Sequence, residues 1–385
     1  MDLPRSAEVV IIGGGVMGTS TAWHLARRGC RDVLLLEREP VFGAGATGRC
    51  AGGIRYQFST AINIELSRLS LPCFDSFPDE VGYPLDVNRC GYLFLLSGPA
   101  EGEAFRRAVE VQHSLGIATE WLEPAEIARR LPAFDLSGIT AATWHAGDGL
   151  TDPGGVVQGY AAGARRLGVR LESGVTVEGI RLEGNRVRAV ITDRGPIATP
   201  TVVNAAGPWA ASIGRLCGLE LPISPVRRQI AVTTPLPDLQ PDLPMVIEFS
   251  RSLYFHREGP AILTGMANPD EPTGENQSVD PEWELVHLEA AANRLPLLTE
   301  AGIAHRWAGL YEVTPDAHPI IGRIPQIEGF YCIAGFSGHG FQHGPGCGLL
   351  LAEEILDGAA STLDIAPLRF ERFDSGPGPA EFNVV

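Results

Sequence analysis

The sequence predicts an α/β protein with a second, α+β domain: a mostly parallel nucleotide-binding sheet into which an antiparallel β-sheet domain is inserted. Three observations carry this. The first forty residues read strand, glycine turn, helix, strand, acid. Two later stretches, 204–209 and 335–346, repeat the strand-to-small-residue turn and lead into helices. Between these units lie runs of short alternating strands, which suit an antiparallel sheet better than βα units.

The opening unit is the most specific. Glu8 to Ile12 is an apolar strand that runs into Gly13, Gly15 and Gly18, and Val33 to Leu36 ends on Glu37. This spacing is the Rossmann-like dinucleotide fingerprint: Gly13 for the tight turn, Gly15 for close approach to a pyrophosphate, Gly18 for helix–strand packing, and Glu37 for ribose hydroxyls. The helix N-terminus at Val16 and Met17 adds amide donors and a positive dipole end. A second small-residue run spans Gly43 to Arg55 and reads as a loop embracing a flat ligand. Arg49 and Arg55 are left over to bind a carboxylate or phosphate.

Helices are expected over 62–77, 101–115 and 124–131, with strands at 91–96 and 140–144. Asp152 and Pro153 form an N-cap and first helical position for a helix over 154–167. Strands follow at 169–177, 186–192 and 197–203, then at 228–233, 245–249, 253–256 and 261–263. The stretch 268–280 is a polar loop, 281–295 a helix, 303–313 a strand, 320–323 a turn, 330–334 a strand and 347–356 the final helix. The expected division is a discontinuous nucleotide domain (1–83, 148–221 and 308–375), a substrate domain (84–147 and 222–307) and a loose Gly/Pro-rich tail (376–385).

The chain has 385 residues, 44% hydrophobic and 20% charged, as in soluble globular proteins. A net charge of −16 argues against nucleic acid and anionic membranes. No apolar run is long enough for a transmembrane helix, and the first strand begins too early for a signal peptide. Seven cysteines without a CxxC pair suggest neither disulfides nor an iron–sulfur site, which fits a reducing cytoplasm. Assembly into homo- or hetero-oligomers stays open.

Three small-residue turns and the 43–55 loop imply a long cofactor, FAD rather than NAD. Two rival readings of the last turn are weaker. His339, His343 and Cys347 have metal-ligand helical spacing, but Gly340, Gly344, Pro345 and Gly346 should break that helix, so no metal is expected. Gly335 to His339 approaches a nucleophile elbow around Ser337, but its fifth residue is His rather than Gly.

Taken together, the Gly13–Glu37 unit, GATGRCAGGIR at 45–55, TVVNAAGPWA at 201–210, WAGLYEVTPDAHPIIG at 307–322 and GFSGHGFQHGPG at 335–346 resemble the D-amino-acid-oxidase-like flavoprotein family. The similarity is greatest to its branch of sarcosine oxidases, dimethylglycine dehydrogenase-like proteins and L-proline dehydrogenase β subunits. The resemblance implies an extended FAD and oxidation of a C–N bond in an amino or N-methylamino acid to an imine, with oxygen or a separate electron acceptor. It implies that Gly13, Gly15 and Gly18, with Val16 and Met17, hold the pyrophosphate, and that Glu37 and Arg38 lie at the adenosine ribose. Ala46, Thr47, Arg49, Cys50, Gly52, Gly53 and Ile54 would run along pyrophosphate and ring. Val175 would meet the adenine, and Ala206, Gly207 and Trp209 the ribityl chain. Gly338, His339, Gly340, Phe341 and Gln342 would border the ring.

The departures from the family pattern carry their own implications. Gly309 or Leu310 stands where monomeric sarcosine oxidases attach flavin through Cys, which implies non-covalent FAD. Gln342 replaces a carboxylate-binding Lys, shifting that task to Arg55 or Arg49. Leu263 replaces a Lys used with oxygen, which favours a dehydrogenase. The candidate catalytic set is Arg55 as carboxylate clamp, Tyr254 and Tyr311 as walls or donors, His256 and His339 as proton acceptors or flavin contacts, and Gln342. A non-catalytic FAD-bearing scaffold is the alternative, and an NAD-dependent dehydrogenase is disfavoured by the repeated cofactor turns.

Overall fold

The computed structural model describes residues 3–376 and 378–385; residues 1, 2 and 377 lie outside it. Among the described residues, a six-stranded sheet runs in the order Ile320–Arg323, Phe330–Ala334, Thr201–Asn204, Val9–Ile12, Val33–Glu37, Arg170–Ser173. All its pairings are parallel except the Ile320–Arg323 edge. Both faces are covered, as parallel sheets require. In the first strand, Val9 and Ile11 join a core under the helices Val16–Arg27, Pro153–Arg166 and Gly340–Asp357. Val10 and Ile12 face the other way, towards the three-stranded meander Val177–Glu183, Arg186–Thr192, Gly195–Ala198. Asp152 caps its helix as the sequence predicts, accepting from the Gly154 and Gly155 amides at 2.9 Å.

An eight-stranded sheet forms the second layer, in the order Ile303–Val313, Ser224–Thr233, Ala261–Met266, Leu253–Glu258, Met245–Glu248, Tyr92–Leu96, Ala141–His145, Glu120–Leu122. It is antiparallel but for one pair. Tyr92–Leu96 and Met245–Glu248 run parallel, and that pair is the seam where strands from the two chain inserts meet. The outer face of this sheet packs under the Pro281–Arg294 helix through Val246, Phe255, Ile262 and Ala291. By strand alternation, Met245, Ile247, Tyr254 and Arg228 face the first domain.

Four sequence expectations change. Residues 320–323 are a strand rather than a turn: Ile320 and Ile321 are fully buried and pair with Ala334 and Ile333. The 169–177 strand ends at Ser173, because Gly174 adopts φ +67° and the chain turns into the meander. The last helix starts at Gly340, not Cys347. Its glycines are contact points: a Cβ on Gly344 would stand 2.4 Å from Val16 Cγ2, and one on Gly348 would stand 2.2 Å from Ser20 Oγ. Close packing on the first helix outweighs roughly 1 kcal/mol of propensity per glycine. Finally, the end of the tail is packed rather than loose, with Glu381 and Asn383 buried.

Candidate active site

A continuous cavity of about 480 Å³ runs from Glu37, past the first glycine turn, to the inner face of the large sheet. At one end the Glu37 carboxylate accepts from the Gly14 amide at 2.7 Å and the Glu39 amide at 2.9 Å. This holds the acid at the tip of its strand, where it lines the cavity beside Arg38 and Val175. Arg38 lies over the Trp209 ring at 3.9 Å and closes that side. Gly13 and Gly18 are packing glycines: a Cβ on Gly18 would stand 1.9 Å from the Gly13 carbonyl. Gly15 caps the first helix with no side chain of its own and the first turn carries no acid, so the positive helix end lies at the cavity. Thr47 accepts from the Val16 amide at 3.2 Å and ties the second glycine loop to this end. These are the parts a pyrophosphate needs, and Gly13, Gly14 and Gly15 all line the cavity here; the residues present fit FAD.

Most of the expected cofactor residues line this cavity, from Val16 and Met17 through Ala46, Arg49, Cys50, Gly52 and Gly53 to Ala206 and Gly207. Gly338, Gly340 and Phe341 border its far end. Gly18 and Ile54 do not line it, being buried in packing behind it. Gly53 matters as a bare backbone, since a Cβ there would meet the Tyr92 hydroxyl at 1.6 Å.

The candidate catalytic residues separate into three groups. Arg55, Tyr254 and Tyr311 line the cavity. Arg55 is buried, its guanidinium over the Phe58 ring at 4.0 Å. Its Nη1 donates to the Gln57 carbonyl and its Nη2 to the Asn383 carbonyl. Among the described residues no ion pair joins it to a carboxylate. Burial pulls its pKa below the usual guanidinium range, with Glu381 and Asp148 opposing from a distance. The Tyr311 hydroxyl donates to the main-chain oxygen of Val385 at 2.7 Å. Burial pushes both tyrosines up, so they stay protonated.

His339 and Gln342 also border the cavity, but they belong to a buried neutral network. His339 Nε2 lies 3.0 Å from the Ala317 carbonyl, which can only accept, so Nε2 carries the proton. His339 Nδ1 then accepts from His343 Nδ1 at 3.2 Å, and His343 Nε2 accepts from Ser67 or Gln342 at 3.0 Å. Burial pushes His339 down to about 4, and His343 well below its usual value. Gln342 accepts from the Arg55 amide and donates to the Arg55 carbonyl, both at 3.0 Å, so it splints the Arg55 backbone. Ser337 is buried at φ 51° with Oγ accepting from the Thr314 amide at 3.2 Å, which leaves no presented nucleophile.

His256 stands outside the cavity lining. It shares a strand face with Tyr254 but sits two residues further along, with Nδ1 against the Arg257 carbonyl at 2.9 Å.

Tyr92, Arg228 and Glu312 are among the lining residues that escaped the sequence reading. Tyr92 and Arg228 come from strands whose facing was not assigned. Arg228 lies over Tyr311 at 5.0 Å, and its Nε is buried without a partner. The readable signal was the Arg227–Arg228 pair in one strand. Alternation sends one arginine outward, where Arg227 pairs with Glu271 at 2.9 Å, and the other inward. Glu312 is the third. It accepts from the Gly335 amide at 3.0 Å, and burial raises its carboxyl to about 7. An acid inside an apolar strand was its signal.

The comparisons agree with this geometry. The family profile described as FAD dependent oxidoreductase (DAO) matches residues 8–354. Human mitochondrial sarcosine dehydrogenase is 31% identical over 92% of this chain, and mouse mitochondrial dimethylglycine dehydrogenase 30% over 95%. The chain spans 40% and 44% of their lengths, less than half of either. The crystal structure of L-proline dehydrogenase from P. horikoshii superposes with a TM-score of 0.90 at 33% identity, covering 97% of this chain and 100% of that one. With the fingerprint, the cavity and the profile in register over most of its length, the chain belongs to the FAD dependent oxidoreductase family.

Proposed function

We propose that this protein oxidises the C–N bond of a secondary or N-methyl amino acid, of the sarcosine, dimethylglycine or proline kind, to the imine, using non-covalently held FAD. The observation that carries the reading is Arg55: a buried guanidinium on the cavity wall, held only by neutral carbonyls. An unpaired buried charge is costly, and a carboxylate ligand relieves that cost. Bound FAD supplies the two-electron oxidation. The protein's own part is to bind and orient. Arg55 takes the carboxylate, and the tyrosine hydroxyls of Tyr254 and Tyr311, kept neutral by burial, close the chamber around the amine.

The acceptor is proposed to be something other than oxygen. Leu263, which the resemblance sets at the place of an oxygen-handling Lys, is buried among Ile230, Val232 and Trp307 and carries no charge itself. Gly309 and Leu310, one of which stands where the resemblance puts a flavin-attaching Cys, carry no nucleophile.

The test is anaerobic mixing of the flavin-loaded protein with sarcosine, dimethylglycine, L-proline, D-proline and D-alanine, followed by oxygen. Bleaching of the flavin by one of the N-substituted amino acids and slow recovery in oxygen are expected. Bleaching by none would favour a scaffold role, and recovery within milliseconds would make it an oxidase.

A further inference from the structure

Residues 381–385 reach the same chamber through Val384 and Val385. The Glu381 carboxylate accepts from the Ser59 amide at 2.9 Å, the Thr60 amide at 3.0 Å and the Thr60 hydroxyl at 2.7 Å. It also takes Asn63 Nδ2 at 3.2 Å. Thr60 begins the Ala61–Asp75 helix without a side-chain cap of its own, so Glu381 caps that helix from far along the chain. His318 Nε2 holds the Pro379 carbonyl at 3.0 Å just before this bolt. Beyond it, Asn383 is fully buried: its side-chain amide donates to the Gln57 carbonyl at 2.7 Å, and its own carbonyl accepts from Arg55. Val384 and Val385 then line the cavity together with Tyr92 and Tyr254, and Val385 packs on the apolar cluster that contains Tyr92, Met245 and Ile247.

We propose that residues 381–385 are a fixed wall of the substrate chamber that aims Arg55 and sets the size of amino acid admitted. This rests on the function proposed above. Arg55 has five N–H donors. The Gln57 and Asn383 carbonyls take one on each terminal nitrogen, and Phe58 supports the guanidinium face, so the plane is fixed and the remaining donors are left for a carboxylate. Val385 meets the part of the substrate that lies between Tyr92 and Tyr254, the substituent on nitrogen or on the α-carbon. The multiple hydrogen bonds on Glu381 mark a wall rather than a plug that substrate must displace.

Two variants test this. Val385→Ala enlarges the chamber; Glu381→Ala unbolts the wall. Each is checked for FAD content and melting temperature. For Val385→Ala, kcat/KM for pipecolate over proline and for N-ethylglycine over sarcosine should rise about tenfold, the discrimination a methylene or two carries in an apolar pocket. For Glu381→Ala, KM for the small substrate should rise about tenfold with kcat changed less than about threefold, as lost uniform binding dictates. Glu381→Gln, which keeps an acceptor, should restore part of it. Calorimetric titration of the flavin-loaded protein with acetate and benzoate gives a readout free of turnover: Val385→Ala should tighten benzoate relative to acetate.

A fall in KM in Glu381→Ala would make the segment a competing plug and overturn the proposal. So would unchanged size selectivity and benzoate affinity in Val385→Ala, which carries the test alone if Glu381→Ala does not fold. If no amino acid bleaches the wild-type flavin, the functional reading fails, while the acetate and benzoate arms still decide the wall.

Discussion

Replacing Arg55 by methionine separates a ligand-binding arginine from a structural one. On the stability side the change has two opposed parts. It removes a buried cation that has no carboxylate partner, which is favourable. It also removes donors from two carbonyls. The Gln57 carbonyl keeps the Asn383 side-chain amide at 2.7 Å, so one acceptor, on Asn383, is orphaned at about 1–3 kcal/mol. The apolar stem still packs on Phe58. Net stability should therefore move by no more than about 2 kcal/mol. Truncating one partner of a buried charge pair costs roughly 2–5 kcal/mol in binding. At 1.4 kcal/mol per decade, kcat/KM should drop by about 30- to several thousand-fold, mostly through KM. The assay is anaerobic flavin reduction by sarcosine and by dimethylamine, alongside a thermal melt. The loss should be confined to sarcosine, because dimethylamine has no carboxylate. Equal loss for both amines, or a melting temperature that collapses with the activity, would refute the clamp.

Other outcomes follow from the same structure. Glu312 is protonated up to about pH 7 when folded but only to its ordinary 4.5 when unfolded. The folded chain thus holds the extra proton between those values, and stability falls as pH rises through that window, by about 3 kcal/mol at 1.36 kcal/mol per unit. Subtracting the Glu312→Gln denaturation profile from the wild-type one should show that slope and no slope above pH 7. His24, His287 and His339, each pushed down to about 4 by burial, act oppositely. The unfolded chain binds their protons first, so stability is lost as pH falls from 6.5 towards 4, and urea midpoints should decline over that range. Gly18→Ala drives a Cβ to 1.9 Å from the Gly13 carbonyl and should yield protein with little flavin by absorbance. Gly344→Val should lower the melting temperature by several degrees, because Val16 has no room to yield on the opposing helix.

What the sequence made legible was local. The first βα turn could be read because its glycines each serve a neighbour within a few residues, as Gly18 does Gly13. Arg55, Tyr254 and Tyr311 stood out as polar residues in small or apolar surroundings, and they converge on the cavity. What escaped depends on distant partners. Residues 320–323 form a strand only because Phe330–Ala334 lies beside them. The glycines of the last helix look like breakers until Val16 and Ser20 stand against them. The parallel seam between Tyr92–Leu96 and Met245–Glu248 joins strands some 150 residues apart, and no local pattern announces it. The Gly/Pro-rich stretch at 376–380 hid the purpose of Glu381, which lies in a ring of donors from Ser59, Thr60 and Asn63.

The arrangement around Arg55 has an internal logic. A protein carboxylate beside it would have made folding easier and the site useless, because the charge would already be answered. Backbone carbonyls from Gln57 and Asn383 orient the guanidinium without neutralising it. The same economy of charge extends behind it. Gln342 stands where a cation could have stood, and it grips both the amide and the carbonyl of Arg55. The histidines beneath it are held neutral by burial. A positive His339 would compete with Arg55 for the ligand's carboxylate and draw it towards the wrong end of the chamber. A negative group there would cancel the field of Arg55. A neutral, fully bonded support leaves the charge of Arg55 unopposed from behind, so that a carboxylate settled on it fixes where its α-nitrogen must lie.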